Sequence, residues 1–115
     1  MSRVDRRAVL EKYGGRCAYC GTPLEPGRRG DNIMQVDHVH ARYLGGTDDP
    51  DNLVPAYRLC NRYKVTYTPE EFRQQLMLIP GRLAAKNMTF RLAQRHGLII
   101  VNNAQPSFLI DGEKA

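Results

Sequence analysis

Three cysteines constrain this chain more than any other feature: a Cys17-x-x-Cys20 pair and, much later, a single Cys60. An odd number does not complete a disulfide framework. Two thiols on one tight turn face a single point, which suits a metal ion in a reducing compartment. The chain has 115 residues, enough for one domain of ordinary size and too few for two. With six Tyr, three Phe and no Trp, its core is modest, and a structural metal would help a chain this small.

The rest of the composition narrows the partners. Hydrophobic residues make up 42% and charged residues 25%, as in soluble globular proteins. Lys and Arg number 17 against 12 acidic residues, a net charge of +5, which favours polyanions such as nucleic acid or acidic membranes. No stretch is long and apolar enough to span a bilayer. The opening MSRVDRRAVLEKYGG is basic but lacks the apolar segment of a secretory signal, so the expected location is cytoplasmic.

Local patterns predict a mixed α and β chain folded as one domain over residues 1–115. A short helix is expected from Asp5 to Tyr13, with Val9 and Leu10 on its buried side and Gly14-Gly15 as its stop. Thr22 to Asn32 reads as a loop, Ile33 to Val39 as a strand, and Leu53-Val54 as a second short strand. A helix is expected over Tyr57 to Val65. Thr68-Pro69-Glu70-Glu71 is a helix start with a capping box, and Pro80-Gly81 is read as its end. Another helix is expected from Asn87 to Arg95, closed by His96-Gly97. Leu98 to Val101 and Ser107 to Ile110 read as two short strands.

The chemistry is concentrated in VDHVHARYLGGTDDPDNLVPAYRLCNRYK, residues 36–64. Its Asp-His, Gly-Gly, Asn-Leu, Cys-Asn and Lys, in this order, resemble the signature of the His-Asn-His (HNH) endonuclease family, and Cys17-x-x-Cys20 matches that family's zinc knuckle. Residues 17–64 carry the specific motifs, and the segment 68–115 looks like the extension of small phage and prophage members. The resemblance implies a ββα-metal finger, in which a hairpin and a helix grip one divalent ion. It also implies a DNA substrate, hydrolysis of phosphodiester bonds through one metal ion, and a bacterial or phage-infected cell, with phage packaging proteins as further partners. The alternative is a catalytically silent DNA-binding or packaging-complex module.

On that resemblance His38 is the general base, since an imidazole titrates near neutrality and can take a proton from water. Asp37 and the amide oxygen of Asn61 would ligate the ion, and oxygen ligands suit Mg²⁺ or Mn²⁺. Asn52 would position the base by tying the loop between the strands, where Gly45-Gly46 permits unusual dihedrals. His40, two residues beyond His38, shares its face if the strand continues and either touches substrate or is an ordinary surface residue. Asp48, Asp49 and Asp51 read as a solvated turn. Arg42, Arg58, Arg62 and Lys64 are candidate phosphate contacts.

One departure from the family pattern stands out. Relatives with the knuckle carry a second Cys-x-x-Cys ending just before the Asn, and Tyr57 occupies its first position here. Three thiols remain where structural Zn²⁺ takes four ligands. Three states are open: a water or a His completes the site, zinc binds weakly, or the thiols pack without metal beside Tyr57.

Overall fold

The computed structural model describes residues 4–112. These fall into two compact units, residues 4–69 with 107–112, and residues 70–106.

The first unit opens with helix α1, Arg6–Glu11, whose N-cap Asp5 accepts a hydrogen bond from the Ala8 amide at 3.1 Å. The cap satisfies one of the amides that the first turn leaves unpaired. Gly14 and Gly15 follow with φ of 65° and 81°, the left-handed conformation that ends a helix at little cost to glycine. The chain then forms the Cys17–Cys20 turn. It is tied at its base by Cys17 N to the Thr22 carbonyl at 2.9 Å and Leu24 N to the Gly15 carbonyl at 2.8 Å.

Strand β1, Gln35–His38, pairs antiparallel with β2, Leu53–Ala56, with Asp37 opposite Val54 and His38 opposite Leu53. Leu53, Val54, Pro55 and Ala56 are all buried, and Pro55 is tolerated because a two-stranded sheet has only edge strands. Its carbonyl accepts the Ala18 amide at 2.9 Å, which joins the cysteine turn to the hairpin. Helix α2, Arg58–Lys64, follows β2 directly, and the hairpin and helix form the ββα order that the motif predicts. Met34 and Val54, among the fully buried side chains here, contribute about 1.5–3 kcal/mol each by leaving water.

The end of the chain belongs to this same unit. Phe108 is buried, with its ring edge-on to Tyr19 at a centroid distance of 5.3 Å, and the Ile110 amide donates to the Ala18 carbonyl at 2.8 Å. The strand expected over Ser107 to Ile110 is absent. Instead Asp111 reaches back to the Phe108 amide at 3.0 Å and starts the short helix α5, Leu109–Gly112. A local acidic cap therefore prevails over the short apolar run.

The second unit holds helices α3, Pro69–Lys86, and α4, Met88–Arg95. The predicted stop at Pro80-Gly81 does not occur, and α3 runs through it. A mid-helix proline costs one hydrogen bond and a clash, about 3 kcal/mol. The run Arg82-Leu83-Ala84-Ala85-Lys86 that follows consists of the strongest helix formers, and Gly81 does not adopt a positive φ. Arg82 also donates to Gln75 at 3.1 Å across the proline. The strand expected over Leu98 to Val101 is absent too. Gly97 turns the chain with φ 74°, and the Leu98 and Ile99 amides fold back onto the Ala93 carbonyl at 2.9 and 3.4 Å, closing α4. Those amides are then unavailable to a ladder.

Candidate active site

The loop from β1 to β2 is fixed by one side chain. Asn52 accepts from the His40 amide at 2.8 Å, and its own amide donates to the His40 and Thr47 carbonyls at 3.0 and 2.8 Å. The two bonds to His40 hold the ends of the loop together, close to the last residue of β1, and the bond to Thr47 ties down its middle. The loop closes so tightly that a Cβ on Gly46 would lie 1.8 Å from the His40 carbonyl oxygen, so only glycine fits there. The His40 ring is held within the loop, 2.9 Å from the Leu44 carbonyl.

His38 is half-buried, and its Nε2 lies 2.7 Å from Asp48 Oδ1. Arg42 Nε stands 3.8 Å from the same oxygen, and its side chain is exposed. The His38 contact and the Arg42 charge hold the Asp48 carboxyl below its ordinary range. An ionised carboxylate only accepts hydrogen bonds, so Nε2 carries the proton and Nδ1 of the neutral ring keeps its lone pair. Asp48, read from the sequence as part of a solvated turn, is instead an ordered partner of His38. The signal for it lay in the Gly45-Gly46 pair, which turns the chain sharply enough to return Asp48 to the strand it left.

Beneath His38 lies a buried polar network. Asp37 is buried, accepts the Tyr19 hydroxyl at 2.6 Å, and has the Lys64 ammonium 3.2 Å from Oδ2. Lys64 also donates to the His38 carbonyl at 3.1 Å. Burial and the nearby Asp37 charge push the Tyr19 phenol well above its ordinary value, which keeps it a donor. Lys64 is 0% exposed, which corrects its assignment as a phosphate contact. A side chain sealed from water and shared between a carboxylate and a carbonyl does not reach a DNA backbone. Tyr19 was not singled out from the sequence, where it looks like the spacer of a Cys-x-x-Cys turn.

The remaining predicted residues lie on or near α2. Asn61 donates its amide to Gln35 Oε1 at 2.7 Å, and among the described residues no hydrogen bond reaches its Oδ1. Gln35 and Asp37 alternate onto one face of β1, so Asn61 and Lys64 meet that face one helical turn apart. Arg62 is exposed. Arg58 donates to the Asp31 carbonyl at 3.1 Å, and its guanidinium carbon lies 5.9 Å from the Tyr57 ring centroid.

Cys17, Cys20 and Cys60 converge, with their sulfur atoms within 4.8 Å of one another. Cys17 is buried, Cys60 half-buried and Cys20 exposed. Tetrahedral zinc with bonds of about 2.3 Å would draw such sulfurs to about 3.8 Å, a small contraction, so the cluster suits a structural Zn²⁺. A hydrogen bond from Cys60, with backbone amides of Tyr57, Tyr19 and Cys20, lowers the Cys17 thiol to about 5, against the opposing effect of burial. Cys60 is pushed up, chiefly by that same bond. Tyr57 contributes its backbone amide to the cluster and is the N-cap of α2.

A hairpin ending in Asp-His, an Asn-clamped loop and a helix that opens beside a cysteine cluster define a ββα core of the metal-finger nuclease class. Residues 17–66 match the family model described as HNH endonuclease, and the chain thus carries an HNH endonuclease domain over that segment. No curated protein and no solved structure matches the chain. The family implies a nucleic-acid substrate. Among the described residues no helix is long and apolar enough to cross a membrane.

Proposed function

We propose that this chain is a divalent-metal-dependent DNA endonuclease in which His38 is the general base. The observation that carries the reading is the 2.7 Å contact between His38 Nε2 and Asp48, on a loop locked by Asn52. A base must be oriented as well as present. Asp48 fixes the ring and its tautomer, leaving Nδ1 to take the proton of the attacking water. The imidazolium that forms is stabilised by the same carboxylate. Asn52 acts at one remove, as a positioning residue for the strand end that bears His38.

The donor set suits a hard divalent ion. Asp37 supplies a carboxylate, and Asn61 Oδ1 is an amide oxygen that no hydrogen bond reaches among the described residues. The competing cation is Lys64, 3.2 Å from Asp37. Asp37 and Asn61 would hold Mg²⁺ or Mn²⁺, which when bound polarises the phosphate and relieves charge on the leaving oxygen. Arg42 on the loop, and Arg58 and Arg62 on α2, all exposed, supply positive charge for the phosphates. A small phage-type nuclease in the bacterial cytoplasm, working beside packaging proteins, is the context that the sequence resemblance implies; the family match itself covers residues 17–66, and α3 runs through the Pro80-Gly81 break on which that likeness partly drew.

The test is nicking of supercoiled plasmid by purified protein with Mg²⁺, Mn²⁺ or no added divalent ion. Ion-dependent conversion to open circle is expected. Intact plasmid under every condition would overturn the reading.

A further inference from the structure

We propose that the ring of Tyr43 is a stacking platform for one unpaired base of the strand being cut, with Arg42 beside it for the adjoining phosphate. The inference rests on the nuclease reading above and names the form of substrate that the site takes.

Tyr43 is 88% exposed and its neighbour Leu44 is 54% exposed, on a 3-10 turn over Arg42–Leu44. A large side chain left in water on a loose loop would mean little. This turn is not loose. The Leu44 and Gly46 amides both donate to the Ala41 carbonyl at 2.9 Å, and the Gly45 amide donates to the Arg42 carbonyl at 2.9 Å. The His40 ring holds the Leu44 carbonyl from the other side, and Asn52 holds both backbone groups of His40. A rigid support thus presents an aromatic face that no aromatic ring covers among the described residues.

Its position selects the occupant. Arg42 precedes Tyr43 and stands 3.8 Å from Asp48, which in turn contacts His38 at 2.7 Å. The turn that bears Tyr43 is thus linked through Arg42 and Asp48 to the general base His38. The nucleic acid there offers phosphates to the cations and a π-face to the ring. A paired base is already stacked within its duplex and presents only its edges, so the platform takes a base that is unpaired or extruded.

The experiment measures binding of labelled oligodeoxynucleotides, one single-stranded and one fully duplex, by fluorescence anisotropy over a salt series without added Mg²⁺ or Mn²⁺. Wild type, Tyr43→Ala, Tyr43→Phe and Arg42→Ala are compared. Tyr43→Ala should weaken single-strand binding about 5- to 100-fold, with a smaller effect on duplex and an unchanged salt slope, because it removes stacking and no charge. Tyr43→Phe should stay close to wild type, and Arg42→Ala should flatten the slope. The proposal is overturned if Tyr43→Ala binds the single strand as wild type does, if Tyr43→Phe loses as much as Tyr43→Ala, or if wild type does not bind the single strand. Plasmid nicking is scored separately. Intact nicking without a ring effect overturns the platform alone, and a ring effect without nicking overturns the nuclease reading alone.

Discussion

Asp48 and Lys64 show how differently two charged side chains of one motif are used. Asp48 sits at the surface with His38, and its carboxyl is held below the ordinary range mainly by that hydrogen bond. A depressed folded value means that the contact's contribution is present above the unfolded value, near 3.9, and is lost only as pH falls through the lower folded value. Removing His38 should therefore raise the Asp48 midpoint. Carbon-detected NMR titration of the Asp48 carboxyl in wild type and His38→Ala checks this, and identical midpoints would contradict the pairing. Lys64 is sealed between Asp37 and the His38 carbonyl. Lys64→Ala leaves an uncompensated buried carboxylate and should cost about 3–5 kcal/mol in denaturant unfolding. A Lys64→Met, Asp37→Leu double variant should recover part of that loss. A Lys64→Ala protein within about 1 kcal/mol of wild type would show the pair to be weak.

Among the elements, the hairpin, α2 and the start of α3 were legible because each carries local signals: alternation, a cap or a proline at the first helical turn. The failures have a common cause. Leu98 to Val101 and Ser107 to Ile110 have strand-like side chains, yet the Leu98 and Ile99 amides close α4, and the Phe108 amide donates to Asp111. A strand needs a partner for its backbone, and short apolar runs do not reveal whether one exists. Pro80 misled in the opposite direction, since good helix formers beyond it offset its cost. The three cysteines were legible as a cluster, but the role of Tyr57 was not. It caps α2 from an extended conformation and faces Cys17 through its backbone. Restoring a thiol with Tyr57→Cys should raise bound zinc per chain and raise the melting temperature when zinc is supplied. Chelator-sensitive melts and direct zinc assay check this; unchanged zinc content and melting would show that the site is already complete.

Across the whole molecule, the basic excess is not a simple measure of DNA affinity. Arg6 donates to the Met34 carbonyl at 2.8 Å, Lys12 to the Pro50 and Leu53 carbonyls at 2.7 and 2.8 Å, and Arg73 to the Pro106 carbonyl at 2.6 Å. With Lys64, these cations serve as staples in a chain with few aromatics. Charge counting does not distinguish such staples from phosphate contacts, because the difference lies in where the backbone carbonyls point. The candidate site was more legible than its support. Asp37, His38, Asn52 and Asn61 were identifiable by motif, whereas Tyr19 and Asp48 join them only through the fold.

The most direct measurement of the account is the nicking rate of His38→Ala against wild type, under identical saturating Mg²⁺ or Mn²⁺, with matching melting temperatures and DNA affinities as controls. His38 is half-buried at a strand end, so its truncation should leave the fold in place. His38→Ala should nick about 10²- to 10⁴-fold more slowly, the usual contribution of a general base. Nicking by His38→Ala at the wild-type rate would contradict that role.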